Sequence, residues 1–323
     1  MEGDKLAEYQ MTQRIGLPLD CKVKLTESRI KEWYNQHNGK VYVSFSGGKD
    51  STVLLHIVRS LFSDIPAVFC DTGLEYPEIR DFVMAQPNIV ILKPQLTFKE
   101  VINKHGLPLI SKQVSATIRK LTQLNLSPKN RHKLLYGDER GKMGILPKKW
   151  RYLLTAPFKI SDKCCEEMKE RPMWKYQRAT GNFGILGLRA TDSDRRKRIW
   201  AKHGCFVKTK HPYCIPMAFW TEDDVWKYIK SQNIPTCSIY KTGVSRTGCM
   251  FCMFGLQHEN KPDRFDLMKT THPVQYRYCM NKLGLKDVIP WCDANGVYAR
   301  AYTDEQIENI VRKHNEQNRT RLV

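Results

Sequence analysis

The sequence predicts an α/β protein, a doubly wound parallel sheet with helical N- and C-terminal extensions. Three observations predict it. Short apolar runs at 41–45, 67–70 and 88–92 alternate with helical patterns at 52–62 and 76–84, which is the spacing of βαβ units. A glycine-rich run, Ser44-Phe45-Ser46-Gly47-Gly48-Lys49-Asp50-Ser51, falls between the first strand and the first of these helices. A further apolar run at 183–188 supplies another strand, and 221–231 reads as a helix with Thr221 as N-cap and acids in its first turn.

Taken in order, residues 1–40 read as a helical lead-in, most clearly amphipathic over 25–34. Residues 41–235 form the expected sheet domain, with another helical pattern at 98–104. Within it, 112–153 breaks the alternation: eleven Lys and Arg stand against Asp138 and Glu139, a net of +9, with Tyr136, Trp150 and Tyr152 among them. Residues 236–323 form a C-terminal region with a C-x-x-C pair, helical from about residue 271.

The whole chain of 323 residues carries a formal charge of +20, which suits a polyanionic partner or a strongly anionic ligand. No apolar run is long enough to cross a bilayer, and the start, Met1-Glu2-Gly3-Asp4-Lys5, lacks the apolar core of a signal peptide. A cytoplasmic protein without a membrane partner is the expectation. Eleven cysteines in a reducing compartment point toward metal or redox chemistry, not disulfides.

The glycine run has the make-up of a phosphate site. Two glycines let the backbone approach an anion without a Cβ. The free N–H groups of the first helical turn point at it. Ser46 and Ser51 add hydroxyls and Lys49 adds charge. The spacing is too short for a Walker A loop. The run resembles the SGGKDS loop of the PP-loop ATP pyrophosphatases, which split ATP between its α and β phosphates.

Cys164 and Cys165 are adjacent, and Cys249 and Cys252 form the C-x-x-C pair. A C-x-x-C pair alone is open among zinc, iron–sulfur and redox use. The tandem pair followed at long range by C-x-x-C resembles the [4Fe–4S] ligation of the assimilatory adenylyl-sulfate reductases. Asp71-Thr72-Gly73-Leu74-Glu75-Tyr76-Pro77-Glu78 resembles a segment of the phosphoadenylyl-sulfate (PAPS) reductase family. So do the segment from Gly187 through Arg189 and Asp192 to Arg195 and Arg196, and the stretch from Ile215-Pro216 through Trp220 and Trp226 to Ile234-Pro235.

The resemblance implies an adenine nucleotide alpha-hydrolase-like fold. It implies Lys49, Asp50 and Asp71 as catalytic groups, and Ser44, Ser46, Gly47, Gly48, Ser51, Thr72, Gly73, Arg189 and Arg195 as nucleotide contacts. Cys164, Cys165, Cys249 and Cys252 would hold a [4Fe–4S] cluster. ATP with Mg²⁺ is the implied nucleotide, with the metal near Asp50 or Asp71. Trp220 and Trp226 are expected in the core, Cys70 as a small core residue, and His56 in helix packing.

Two departures from the reductases shape the expected function. The family's catalytic Glu-Cys-Gly-[IL]-His motif does not occur in the sequence, which ends at Val323, and Cys292 has different neighbours. The loop is intact, as in the family's ATP-using members. The expectation is an ATP pyrophosphatase-type enzyme that adenylates a nucleic acid, DNA or tRNA, for sulfur transfer. A cysteine desulfurase would be a fitting sulfur donor, and the basic 112–153 segment a fitting nucleic-acid contact. The alternatives are a sulfonucleotide reductase making sulfite and a non-catalytic nucleotide-binding module.

Overall fold

The computed structural model describes residues 2–139, 141, 144–242, 244, 247–259 and 262–297. The helical extension expected beyond residue 297, and Arg140 and Lys142 of the basic segment, lie outside them. In chain order the first half contains α1 (Glu2–Ile15), α2 (Leu19–Gln36), β1 (Val41–Ser44), α3 (Lys49–Leu61), β2 (Ala67–Cys70), α4 (Pro77–Met84), β3 (Ile89–Leu92), α5 (Phe98–His105), β4 (Leu109–Ile110), α6 (Lys112–Gln123) and α7 (Pro128–Tyr136). The second half contains α8 (Arg171–Thr180), β5 (Phe183–Leu186), α9 (Asp194–His203), β6 (Phe206–Val207), β7 (Tyr213–Cys214), α10 (Glu222–Ser231), β8 (Met253–Phe254), α11 (Arg264–Thr271), α12 (Pro273–Arg277) and α13 (Leu285–Val297). Every strand and helix expected between residues 41 and 105 is present, with ends shifted by up to three residues.

The chain forms two compact units: Met1–Pro94 with Lys169–Cys249, and Gln95–Met168 with Met250–Val323. The first unit holds a six-stranded sheet in the order β3-β2-β1-β5-β7-β6. All neighbours pair in parallel except β6, which returns antiparallel on β7. The sheet is doubly wound, with helices on both sides. Successive strands run outward from β1 to β2 and β3 on one side, and from β5 to β7 on the other. The order therefore reverses between β1 and β5, and such a reversal opens a crevice at the carboxyl ends of the strands. The loop after β1 lies at that point.

β1 is apolar because it is buried in mid-sheet: Val41, Tyr42 and Val43 are all buried. α3 buries Val53, Leu54, Ile57 and Val58 behind the loop, an i, i+1, i+4, i+5 stripe of a helix packed on a sheet. His56 is a packing residue, as expected, with Nδ1 3.2 Å from the Tyr228 hydroxyl.

The lead-in helix α2 is tied to the sheet domain by buried polar contacts. Its buried stripe is Lys22, Thr26, Ile30 and Trp33. Thr26 Oγ1 accepts from Trp220 Nε1 at 2.9 Å and donates to the Pro216 carbonyl at 3.3 Å. Lys22 Nζ lies 2.5 Å from Asp224 Oδ2, and both residues are buried. Asp224 also closes a capping box with Thr221, the expected N-cap of α10.

The second unit carries the two-stranded parallel pair β4–β8. Its core includes Ile118, Leu121, Leu135, Leu153 and Ile160.

Removing one member of a buried ion pair leaves the other charge without compensation, which costs about 3–5 kcal/mol. Asp224→Ala should therefore lower stability by about 3 kcal/mol or more, read as the urea midpoint of unfolding. Lys22→Met with Asp224→Leu should recover most of that loss, because no lone charge remains buried. An unchanged midpoint in the single variant would refute the assignment.

Candidate nucleotide site

The loop between β1 and α3 is shaped by close approaches. Gly47 has φ +70°, a left-handed conformation that favours glycine. A Cβ there would meet Val83 Cγ2 at 2.8 Å and Ile79 Cγ2 at 3.0 Å, so the turn lies directly on α4. Gly48 is the N-cap of α3 and offers no side-chain cap. The hydroxyls stabilise the turn: Ser51 Oγ accepts from the Ser46 amide at 3.2 Å and donates to the Gly48 carbonyl at 2.9 Å. Thr52 Oγ1 donates to the same carbonyl at 3.0 Å.

The first amide of α3 already has an oxygen partner. Lys49 N donates to the Tyr240 hydroxyl at 2.7 Å. The Tyr240 hydroxyl also lies 3.3 Å from Thr247 Oγ1, and a Cβ on Gly48 would lie 2.4 Å from that Thr247 oxygen. A tyrosine oxygen thus occupies the place where helix N-termini hold anion oxygens.

Charge gathers here out of water. Lys49 is buried, with Nζ 3.0 Å from Glu222 Oε1. The same Nζ stands 5.9 Å from the Trp226 ring centroid and 5.8 Å from that of Tyr240, the distance of a cation–π contact. Arg189 is also buried. Its Nη2 lies 2.8 Å from Asp192 Oδ1, and Arg196 pairs with the other Asp192 oxygen. Arg189 Nε is 2.9 Å from Asp50 Oδ1, an ion contact whose alignment makes no hydrogen bond. Arg189 Nη1 has no hydrogen-bond partner at all.

This meeting depends on Gly187, whose Cβ would stand 3.0 Å from the Asp50 carbonyl oxygen. Burial pushes the Asp50 carboxyl above its ordinary range. Arg189 and Lys49 pull it back only in part, and Asp192 and Glu222 add to the rise.

Asp71, Thr72 and Gly73 follow β2, the strand beside β1, so they share the carboxyl edge of the sheet with the loop. They are held by their own contacts. Asp71 Oδ2 pairs with Arg80 Nε at 3.1 Å, and Asp71 Oδ1 accepts from the Gly73 amide at 3.2 Å. Thr72 Oγ1 donates to Glu75 at 2.8 Å, and Lys169 Nζ lies 3.7 Å from the same carboxylate. The space beside Gly73, at φ +71°, is open. Ser44 ends β1 and Ser46 is exposed. Arg195 is exposed on α9, where its charge acts on Tyr213, whereas Arg196 joins the Arg189–Asp192 pair.

The structure corrects three expectations. Trp226 is not core: it is 36 % exposed and forms an edge contact with Tyr240 at 5.3 Å, while Trp220 is fully buried as expected. Cys70 is half-buried at the end of β2, and burial pushes its thiol up to about 12, with Lys169 opposing and Glu75, Asp71 and Cys249 adding. In the basic segment, Tyr152 and Arg151 are buried and not available to a polyanion. Tyr152 packs on Trp291 at 5.9 Å, and Arg151 donates to the Leu135 carbonyl at 2.6 Å.

Tyr240, Thr247, Glu222 and Trp226 were not legible as site residues. No short spacing links them to the loop, since Tyr240 stands 191 positions from Lys49.

The four cysteines divide between the units: Cys249 belongs to the first, and Cys164, Cys165 and Cys252 belong to the second. None of the four forms a disulfide. The Cys164 and Cys165 sulfurs lie 3.9 Å apart, and the Phe254 amide donates to Cys252 Sγ at 3.4 Å. Among the described residues no group of three or more His, Cys, Asp or Glu is arranged to hold a metal ion. The donor chemistry thus suits an iron–sulfur cluster, while no ready cage stands among those residues.

The phosphoadenosine phosphosulfate reductase domain matches residues 40–140 and 113–254. The chain belongs to that family. An uncharacterized protein of Methanocaldococcus jannaschii is 26 % identical over 73 % of this chain, and the chain spans about half (47 %) of its length. The adenosine 5′-phosphosulfate reductase of Geobacillus kaustophilus is 23 % identical over 76 % of this chain and 86 % of its own. The phosphoadenylyl-sulfate reductase of Candida auris, solved as a phosphate complex, aligns with 75 % of this chain and 93 % of its own at 16 % identity and a TM-score of 0.42. No helix among the described residues is long and apolar enough to cross a membrane.

Tyr240→Phe deletes the hydroxyl that holds the Lys49 amide. One hydrogen bond nets about 1 kcal/mol, so ATP should bind about fivefold more tightly by calorimetry. Weaker binding would assign the hydroxyl to the bound nucleotide instead.

Asp50 has a raised folded-state value, so its ionised form opposes folding. That cost is absent below the unfolded carboxyl value and is complete once pH has risen through the folded one. Asp50→Asn should raise the thermal midpoint at neutral pH, and the gain should vanish as pH falls through the carboxylate range.

Proposed function

We propose that the protein is an ATP pyrophosphatase-type enzyme that adenylates a nucleic acid for sulfur transfer. The observation that carries this is Arg189. Its Nη1 is buried without a hydrogen-bond partner, beside an intact glycine loop and the buried Lys49. A planar guanidinium with an open donor, next to a buried ammonium, matches the oxygens of a polyphosphate.

ATP would seat its β and γ phosphates on residues 46–51, replacing the Tyr240 hydroxyl at the Lys49 amide. Asp50 and Asp71 are the carboxylates able to hold Mg²⁺, which supplies charge neutralisation at phosphate oxygens when bound. An oxygen of the acceptor attacks the α-phosphorus. The new P–O bond forms as the bond to the bridging oxygen breaks, and the electron pair leaves with pyrophosphate. Lys49 and the loop amides stabilise that charge. A hydrosulfide, released from a cysteine desulfurase's persulfide by a thiol reductant that is oxidised to a disulfide, then displaces AMP at the activated atom.

Cys164, Cys165, Cys249 and Cys252 are the thiols that would hold a [4Fe–4S] cluster, which supplies an electron store or a rigid anchor when bound. The exposed Lys120, Lys129, Lys148 and Lys149 support a polyanionic acceptor.

A second reading is favoured by the relatives named as adenosine 5′-phosphosulfate reductases. It needs a thiolate nucleophile. Burial and the neighbouring Asp293 push the Cys292 thiol up to about 12, which suppresses that role for Cys292.

Anaerobically purified protein should release pyrophosphate from ATP, faster with the acceptor nucleic acid present. Lys49→Ala should reduce that rate at least about a hundredfold. Absence of pyrophosphate with every DNA and RNA tested would overturn the proposal. Sulfite released from adenylyl sulfate with a thiol donor, and lost in Cys292→Ser, would establish the second reading.

A further inference from the structure

The chain's basic excess has two seats. Between residues 171 and 211, eleven Lys and Arg stand against Asp192 and Asp194, again a net of +9. This stretch lies in the first unit, the one that carries the glycine loop.

Three of its segments meet. Gln177 of α8 donates through Nε2 to the Pro212 carbonyl at 3.0 Å. The Trp174 ring of α8 stacks on His211, with centroids 4.8 Å apart and planes 10° from parallel. The charges of Arg178 and Lys210 both act on His211, and Arg195 at the start of α9 acts on Tyr213, opposed there by Glu170. Arg178, Arg195, Lys208 and Lys210 are all exposed. The result is a dense positive surface around a flat aromatic pair. Such density costs the fold self-repulsion and raises the local attraction for anions.

We propose that this face docks the acceptor as a single-stranded stretch of nucleic acid, its phosphates on the cations and an unpaired base against the Trp174–His211 pair. The proposal rests on the acceptor being a nucleic acid, as above. Base stacking on aromatic rings is sequence-tolerant and needs a base free of its duplex, so the pair selects single strands. The start of α9 is also tied to the loop by ion pairs. Arg196, beside Arg195 on α9, pairs with Asp192, and Asp192 pairs with Arg189 beside Asp50.

The test uses the full chain with a fluorescein-labelled mixed-sequence RNA 20-mer and a duplex of the same length, followed by anisotropy across a salt series. The single strand should bind more tightly, with affinity falling steeply with salt. Arg178→Glu with Lys208→Glu and Lys210→Glu should weaken binding by about tenfold or more, and Trp174→Ala by about tenfold. Basal pyrophosphate release from ATP without nucleic acid should stay at the wild-type level in each.

Single-strand binding left intact by the triple variant would overturn the proposal. So would loss caused only by reversing Lys129, Lys148 and Lys149, or no binding by the wild type. In all three cases persisting basal pyrophosphate release would leave ATP cleavage standing, whereas its absence in the wild type would sink that separately.

Discussion

Lys49 and Arg189 are buried cations at one edge of a parallel sheet, and much of the first unit is arranged around that constraint. Taking a charge out of water costs several kcal/mol per ion unless partners compensate. The partners of Arg189 are incomplete. Glu222 reaches Lys49 from the rim of α10 with a side chain that is 55 % exposed. Asp50 meets Arg189 in poor alignment, and two guanidinium nitrogens, Nε and Nη1, have no hydrogen-bond partner. A polyphosphate supplies what these carboxylates do not: several oxygens, delocalised charge and a geometry that suits amides, ammonium and guanidinium together.

The fold explains why those charges meet. Strand order reverses between β1 and β5, so the segments leaving these two strands diverge and leave a crevice between them. Gly47 lets the first segment turn against α4, and Gly187 lets the second pass against the start of α3. Side chains at either position would press these segments apart. Tyr240 then caps the helix that the loop begins, which satisfies its first amide without adding a charge.

Legibility differed sharply along the chain. In the first unit β1, β2, β3 and β5 are readable because a sheet strand needs a continuous apolar run, as at Val41–Ser44 and Ala67–Cys70, whereas β6 and β7, of two residues each, are not. Thr221 was readable as a cap because capping is local. The aromatics of the basic segment were misjudged because burial is not local. Tyr152 sits beside exposed lysines in sequence but packs on Trp291. The second basic seat, around Trp174 and His211, is not legible as a cluster in sequence because its members are spread over 41 positions and interrupted by strands β5 and β6.

The sequence by itself determined the sheet class, the glycine loop and the family, because each is encoded in short, ordered runs whose chemistry is local. Only the tertiary structure decided which distant groups complete the site. Tyr240 and Thr247 reach the loop, Glu222 faces Lys49, Arg196 backs Arg189 where Arg195 does not, and Trp226 leaves the core. These choices follow from strand order and helix packing, which bring together residues up to about 190 positions apart and which no spacing rule records. The loop is thus a local inheritance, while its unsatisfied Arg189, the feature that most directly asks for an anion, is a product of the fold.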